Sequence, residues 1–285
     1  MESSLSNHNP YIGRFAPSPS GPLHLGSLVT ALGSFLQAKT RRGMWRLRID
    51  DIDPPRIMSG ATESILSSLT AHGLHWDGDV VFQSQHSKLY DETLDFLQDN
   101  HLLYPCDCTR AQTKALGPVY TGVCRNKKSV NTPFALRFKN NVKIETLDDE
   151  YLGKVAVDVS QTQEDFIVKR KDGLYAYHLA SVVDDIEMGV TQIVRGEDLL
   201  LPSACQLALF KTLNVSPPSN LHLPLVKFAD GRKFSKQNHA PALDNSKASA
   251  NLLAALEYLN LPVKTQSKLL EVDQILDWAI DNWSI

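Results

Sequence analysis

The sequence has no long hydrophobic run and no apolar leader, and both absences exclude classes of protein. No stretch approaches the roughly 18 consecutive apolar residues that a membrane-spanning helix needs. Residues 1–10 are polar and lack the apolar core of a signal peptide, so we interpret them as a flexible N-terminus. These features indicate a cytoplasmic protein that does not enter a membrane.

The sequence also lacks an excess of charge of either sign. Its net charge of −3 argues against a chain that is basic overall. A nucleic-acid-binding protein needs only a local basic patch, because affinity depends on the phosphates that it contacts. Short basic runs at residues 41–42, 125–128 and 169–171 are candidates for such a patch. Solvated surface turns are the alternative interpretation of each run.

Cysteine is scarce, with four residues in 285, and a cytoplasmic chain is not expected to form disulfides. Three of the four, Cys106, Cys108 and Cys124, lie close together in the sequence. Tetrahedral Zn²⁺ takes three or four such ligands, and Cys-x-Cys supplies two from one turn. The spacing predicts a structural zinc site, with three reduced thiols and no metal as the alternative. We expect Cys205, in an apolar helical segment, to lie in the core.

The first fifty residues have the pattern of a β-α-β unit. Residues 11–15 predict a strand, a Pro/Ser/Gly-rich loop follows, and apolar residues recur at helical spacing over 25–38. Arg46 and Arg48 then alternate with apolar residues between 45 and 49, which is typical of a strand. Ligands bind at the carboxyl ends of the strands in such sheets, so the loop is a candidate site.

The rest of the chain predicts an α/β fold with an insertion. It contains short β-like runs, including residues 143–146, then a last strand at 222–228 and a final helix at 264–281. The predicted organisation is a flexible N-terminus at 1–10, a Rossmann-like catalytic domain at 11–105 and 172–240, an inserted α+β subdomain with the zinc site at 106–171, and a short helical C-terminal region at 241–285.

The loop at residues 14–27 reads Arg-Phe-Ala-Pro-Ser-Pro-Ser-Gly-Pro-Leu-His-Leu-Gly-Ser. His24 precedes a helix N-terminus, where fixed donors stabilise the charge that develops on a phosphate. Gly26 has no side chain, so a base or ribose can approach the backbone. His-x-Gly alone more often marks an ordinary loop histidine, but its position after this strand and loop predicts a nucleotide site.

A second candidate is the segment Lys-Phe-Ser-Lys-Gln at residues 233–237, which follows an Asp-Gly turn. Lysine is a compact point charge suited to a phosphate leaving group. A solvated basic turn is the alternative interpretation. A third candidate is Asp50, because carboxylates at a strand end can bind an ammonium group or shape a nucleotide site.

These elements, in this order over residues 11–240, resemble the catalytic core of class I glutamyl-tRNA synthetases. The resemblance implies activation of glutamate by ATP with Mg²⁺, with His24 and Lys236 as catalytic residues. It implies the ATP-binding residues His24, Gly26, Ser27, Lys233, Ser235 and Lys236. It implies the glutamate-binding residues Arg14, Phe15, Ala16, Pro17, Ser18, Asp50, Tyr177 and Arg195.

Two of these assignments carry alternatives. Each carboxylate of glutamate needs a cation, and Arg14 and Arg195 are the candidates, although Arg195 could instead form an ion pair with Glu197 or Asp198. Asp50 stands where the family has glutamate, which is one methylene longer. The resemblance further supplies Tyr120 as the fourth zinc ligand, in a Cys-x-Cys, Tyr-x-x-x-Cys pattern.

Fewer than 50 residues follow residue 237, too few for the large anticodon-binding region of those enzymes. With Pro-Ser-Pro-Ser-Gly, Asp-Ile-Asp-Pro-Pro-Arg and Lys-x-Ser-Lys-Gln-Asn-His-Ala-Pro-Ala, the chain is most similar to the glutamyl-queuosine tRNA(Asp) synthetase family. That resemblance implies a monomer that activates L-glutamate without tRNA and transfers it to queuosine in the anticodon of tRNA(Asp).

Three other functions stay open at this point. A minimal glutamyl-tRNA synthetase would charge a tRNA 3′ end, and a nucleotidyltransferase with the same His-x-Gly loop would adenylylate a small cofactor precursor. A tRNA-binding paralogue without catalysis would not need both His24 and Lys236.

Overall fold

A computed structural model describes residues 10–120, 122–228, 231–232, 234, 240–263 and 271–285. Its strands are β1 (Ile12–Phe15), β2 (Met44–Ile49), β3 (Val81–Phe82), β4 (Leu103–Cys106), β5 (Ala135–Phe138), β6 (Thr146–Asp149), β7 (Gly153–Ala156), β8 (Ile167–Lys169), β9 (Gln192–Gly196) and β10 (Ser219–Leu223). Its helices are α1 (Leu25–Thr40), α2 (Ala61–Ala71), α3 (Ser87–Asp99), α4 (Arg110–Ala115), α5 (Val159–Thr162), α6 (Tyr177–Glu187), α7 (Leu200–Thr212), α8 (Ala248–Tyr258) and α9 (Val272–Asn282).

The molecule contains two largely parallel sheets. One has the order β1-β2-β3 and the other the order β7-β6-β10-β9, and all pairings except β6 with β7 are parallel. The sheets meet where β1 and β9 begin, because the Thr191 amide donates to the Ile12 carbonyl at 2.9 Å. The resulting order β3-β2-β1-β9-β10 is that of a Rossmann half, and its switch point lies between β1 and β9.

The main core lies between these sheets and helices α1, α8 and α9. It buries Leu32 and Leu36 of α1 against Trp45 and Leu47 of β2. The Trp45 indole donates to the Ser34 hydroxyl at 2.8 Å, so its one polar group is satisfied inside the core. This packing holds the β1–α1 loop firmly at the carboxyl end of the sheet.

A separate antiparallel sheet has the order β4-β5-β8 and carries the cysteine cluster at its edge. The hairpin β6–β7, which lies between β5 and β8 in the sequence, instead joins β9 and β10 in a largely parallel sheet, where β6 pairs with β10. Residues 106–171 therefore contribute strands to two sheets. The predicted domain boundaries stay a proposal, and residues 1–9, predicted to be flexible, lie outside the described residues.

Three predicted elements have different bounds in the structure. The strand predicted at 143–146 is β6, which starts at the last of these residues. The strand predicted at 222–228 is β10, which ends at Leu223 because the following Pro224 has no amide hydrogen. Of the helix predicted at 264–281, residues 264–270 lie outside the described ranges, and α9 begins after a capping box at Glu271.

Candidate active site

A cavity of about 580 Å³ opens at the carboxyl ends of β1, β2 and β9. It is lined by these predicted site residues: Arg14, Phe15, Ala16, Pro17, Ser18, His24, Gly26, Ser27, Asp50, Tyr177 and Arg195. Lys233, Ser235 and Lys236 lie outside the described residues, but Phe234 between them also lines the cavity. The structure thus brings together every predicted glutamate-binding residue at the switch point of the sheet.

His24 occupies the N-cap of α1 at one end of the cavity. Its Nδ1 accepts a hydrogen bond from the Ser27 amide at 3.1 Å, so a neutral ring carries its proton on Nε2. A Cβ on Gly26 would lie 3.2 Å from the His24 ring and 3.4 Å from the Phe234 carbonyl oxygen. The glycine therefore allows the backbone at 234 to lie against the start of α1.

Arg14 lies on the floor of the cavity and is held by a carboxylate of α6. Its Nε and Nη2 donate to the two oxygens of Asp185 at 3.1 and 3.3 Å, and both side chains are buried. Burial alone would raise the pKa of Asp185, but the charges of Arg14 and Arg48 lower it to about 2. Asp185 is therefore a permanent anion beneath the cavity.

Arg48 connects Asp185, which holds Arg14, to Asp50, which is predicted to bind an ammonium group. Its Nη1 donates to Asp185 and its Nε to Asp50, both at 2.7 Å. Burial raises the pKa of Asp50, and the Arg48 charge opposes that shift. The alternation in β2 predicts a strand but does not reveal that Arg48 is almost fully buried. Arg48 thus fixes the Asp50 carboxylate from below.

Asp184, next to Asp185 on α6, anchors this cluster to the neighbouring elements. It accepts hydrogen bonds from Gln83 at 2.6 Å and Tyr90 at 2.9 Å, and its Oδ1 lies 2.7 Å from His86 Nδ1. The motifs did not identify either carboxylate. An acidic pair directly after the largely apolar residues 179–183 is the sequence signal that could have found them, because buried acids require partners.

Arg195 approaches the cavity from β9 and is also buried. Its Nη1 donates to the Gln206 side-chain carbonyl at 2.8 Å and to the Ser203 hydroxyl at 3.2 Å, and its Nη2 lies 4.0 Å from Asp185. Burial lowers the pKa of Arg195 below its usual value. Asp185 therefore stands between the two arginines that the resemblance assigns to glutamate.

The three clustered cysteines have the spacing of a metal site. The Sγ atoms of Cys106, Cys108 and Cys124 lie within 4.8 Å of one another, and the last two are 3.5 Å apart. Zn–S bonds of about 2.3 Å in a tetrahedron require sulfurs about 3.8 Å apart, so the spacing fits Zn²⁺. The Tyr120 hydroxyl lies 3.4 Å from Cys106 Sγ, in reach of the same centre. Cys205 is buried on α7, away from the cluster.

The basic runs are largely paired with acidic side chains. Arg41 donates to Glu150 at 2.8 Å, Lys127 to Asp107 at 2.6 Å, and Arg170 to Asp53 and Asp172. These ion pairs are consistent with solvated surface turns. They are also consistent with a basic patch that contacts phosphates. Among the described residues, each helix is too short or too polar to traverse a lipid bilayer.

Comparison with known proteins gives the family. The catalytic domain of class I tRNA synthetases (E and Q) matches residues 12–118 and 119–268. A protein of Idiomarina loihiensis named Glutamyl-Q tRNA(Asp) synthetase is 49% identical over 273 residues, covering 96% of each chain. The chain belongs to the Glutamyl-Q tRNA(Asp) synthetase family. The Pectobacterium atrosepticum member is 46% identical over 96% of this chain and 85% of its own.

Solved structures agree with this family. A glutamate tRNA ligase from Elizabethkingia meningosepticum, crystallised with its amino acid, superposes with a TM-score of 0.77 at 26% identity. The match covers 94% of this chain and 64% of that one. A putative arginyl tRNA synthetase from Campylobacter jejuni, with a TM-score of 0.55 and 12% identity, shares the fold alone. The predictions of a class I α/β fold and of an enzyme of this ligase family are confirmed.

Proposed function

We propose that the chain activates L-glutamate with ATP, without tRNA, and then transfers the glutamyl group to queuosine in the anticodon of tRNA(Asp). The observation that carries the proposal is the pair of buried arginines, Arg14 and Arg195, in a cavity that His24 also lines. The family match over almost the whole chain supports the acceptor. We further infer that the enzyme acts in the cytoplasm as a monomer.

Each charged group of glutamate has an oppositely charged partner in the cavity. Its two carboxylates pair with Arg14 and Arg195, which suits the strong hydrogen bonds between guanidinium and carboxylate. Its ammonium group pairs with Asp50, which Arg48 keeps in a fixed orientation. Tyr177, 39% exposed at the mouth of the cavity, contributes a hydroxyl to the same ligand.

Activation takes place where the glutamate end of the cavity meets the α1 N-terminus. A carboxylate oxygen of glutamate attacks the α-phosphorus of ATP, a new O–P bond forms, and the bond to the leaving pyrophosphate breaks. The Nε2–H of His24 donates to an α-phosphate oxygen as charge builds on it. Mg²⁺ bound with ATP neutralises the triphosphate, and Lys236 is assigned to the departing pyrophosphate. A hydroxyl oxygen of queuosine then attacks the glutamyl carbonyl carbon, the bond from that carbon to the phosphate oxygen breaks, AMP leaves, and the hydroxyl proton passes to solvent.

We assign Zn²⁺ to Cys106, Cys108, Tyr120 and Cys124 as a structural ion. All four positions are protein side chains, so the site has no open position for catalysis. Elemental analysis of the purified enzyme should give one zinc per chain. Cys108→Ser should lose the zinc, whereas Cys205→Ser, buried on α7, should keep it. Zinc retained in full by the Cys108 variant would contradict the assignment.

The decisive experiment separates activation from transfer. Glutamate-dependent ATP–pyrophosphate exchange without tRNA tests the first step, and aspartate serves as the control amino acid. Labelled glutamate is then offered with tRNA(Asp) that carries queuosine and with the same tRNA that lacks it. We expect label only on the queuosine form. Equal labelling of both forms would instead show an enzyme that charges the 3′ end.

A further inference from the structure

We propose that Asp149, His222 and Ser203 form a buried positioning relay that holds Arg195 in its glutamate-binding orientation. The inference rests on the proposed function, because Arg195 is there a ligand of glutamate. The three relay residues come from β6, β10 and α7, and none of them belongs to the motifs that line the cavity. They are positioning residues, since they act on the substrate only through Arg195.

Short hydrogen bonds connect the relay from end to end. The Asp149 Oδ2 atom lies 2.7 Å from His222 Nδ1, and His222 Nε2 lies 2.8 Å from the Ser203 hydroxyl. The same hydroxyl accepts a hydrogen bond from Arg195 Nη1 at 3.2 Å. All four side chains are buried, so water does not compete for these bonds.

Asp149 is a rigid anchor for the relay. Its Oδ1 accepts from the amides of Tyr151 and Leu152 at 3.0 and 2.8 Å, and its Oδ2 accepts from the His222 amide at 3.0 Å. Burial alone would raise the pKa of Asp149, but the His222 ring and the Leu152 and His222 amides lower it. A carboxylate with this many donors stays charged and fixes the imidazole that it contacts.

The single hydroxyl hydrogen of Ser203 explains how the relay orients Arg195. Ser203 has one hydroxyl hydrogen, which it gives either to the Leu199 carbonyl at 2.8 Å or to His222 Nε2. In both arrangements an oxygen lone pair is left to accept from Arg195. Gln206 accepts from the same Nη1 atom, so the two bonds together set the plane of the guanidinium and place Nη2 beside Asp185.

The relay has the composition of a Ser-His-Asp triad, but its surroundings do not suit a nucleophile. Ser203 and His222 are absent from the described lining of the 580 Å³ cavity. The void beside Ser203 holds only about 10 Å³, which is enough for one water and not for an acyl group. Its hydroxyl oxygen is also committed to Arg195.

The test compares KM for glutamate with KM for ATP in the exchange reaction. Ser203→Ala should raise KM for glutamate about tenfold, the range for a lost hydrogen bond to a charged group, with KM for ATP within about twofold. Ser203→Thr keeps a hydroxyl and should restore most of the affinity. Thr212→Val removes a hydroxyl that, among the described residues, bonds to the Ala208 carbonyl within α7, and it should leave both constants unchanged.

The outcomes distinguish the relay from the proposed function. If the wild-type enzyme shows no glutamate-dependent exchange, the proposed function fails and the relay's role fails with it. If the wild type exchanges and Ser203→Ala keeps its KM for glutamate, the relay alone is overturned. Should Ser203→Ala not fold, His222→Gln provides the second variant, with the melting temperature and glutamate affinity by calorimetry measured together. An equal rise in both KM values would indicate a merely structural role and would also overturn the relay.

Discussion

The two walls of the cavity are built in different ways. The β1 wall places Arg14, His24 and Gly26 within thirteen consecutive residues, on one strand, one loop and one helix N-terminus. The β9 wall presents Arg195, which is supported by side chains from α7 and, through Ser203, from β10 and β6. One wall is thus local in sequence, whereas the other depends on contacts across the whole fold.

The difference between the two walls shows which kind of binding site a local sequence motif can build. Nucleotide chemistry needs backbone amides and a glycine at a helix N-terminus, which adjacent residues can supply. A buried guanidinium needs several acceptors arranged around it, and these have to come from other elements because one segment cannot surround it. Substitutions on the two walls should therefore have different consequences.

Asp185 joins both walls, so its substitution should have the largest effect. Asp185→Asn leaves Arg14 and Arg48 without their shared anion, and breaking a buried ion pair from one side costs about 3–5 kcal/mol. Urea unfolding measures the loss of free energy of unfolding. Asp172→Asn, whose partner Arg170 is partly exposed, should cost at most about 1 kcal/mol. A loss below about 1 kcal/mol for Asp185→Asn would show that the arginines do not depend on it.

Substituting Arg14 and Arg195 one at a time compares the two walls directly. Arg14→Lys and Arg195→Lys keep the charge but lose the forked geometry, so KM for glutamate should rise by about tenfold to a hundredfold, or about 1.5–3 kcal/mol. Arg41→Lys, at the surface end of α1, is the matched control and should leave KM for glutamate unchanged. An unchanged KM for either cavity variant would remove that arginine from the glutamate site.

Gly26→Ala should affect the β1 wall alone. The added methyl would lie 3.2 Å from the His24 ring, so the ring has to shift by a few tenths of an ångström, whereas the 3.4 Å distance to the Phe234 carbonyl oxygen is an ordinary contact. We expect KM for ATP to rise severalfold, about 1 kcal/mol, while KM for glutamate serves as the internal control. Unchanged ATP kinetics with a higher melting temperature would mean that the helix gains from alanine and the site tolerates it.

The smallest effect that we expect is a loss of stability in acid at His178, which lies on α6 and is influenced by the charge of Arg195 on the β9 wall. Burial, with a further contribution from the Arg195 charge, lowers the pKa of His178 to about 4. Its pKa in the unfolded chain is near 6.5, so the unfolded state binds the proton first and stability falls as pH drops from about 6.5 towards 4. Asp185, with a pKa of about 2, stays charged over this window.

The measurement is the free energy of unfolding at pH 7 and pH 5.5. The wild type should lose about 1 kcal/mol more than His178→Phe between these values, because phenylalanine cannot take up the proton. Phenylalanine also keeps a ring beside Phe166, 4.7 Å away. Parallel losses in the two proteins would mean that His178 does not titrate in this range.

The sequence predicted the β1 wall and the clustering of Cys106, Cys108 and Cys124 because each is a short pattern of chemically specific residues. It predicted the parallel fold for the same reason, through the strand, loop and helix periodicity at 11–49. It did not predict the burial of Arg48, since alternation in a strand places arginine on the exposed face. It also missed Asp149 and His222, whose pairing depends on a strand contact between residues over 70 positions apart.

The contact between β6 and β10 constrains how this protein can be remodelled. A designer who cut out the cysteine-bearing segment as one cassette, from 106 to 171, would also remove the carboxylate under His222. A shorter exchange that ends before β6 would keep it. Replacement of the cysteine-bearing segment is therefore expected to keep the Asp149–His222 contact at that inner boundary and to lose it at the outer one.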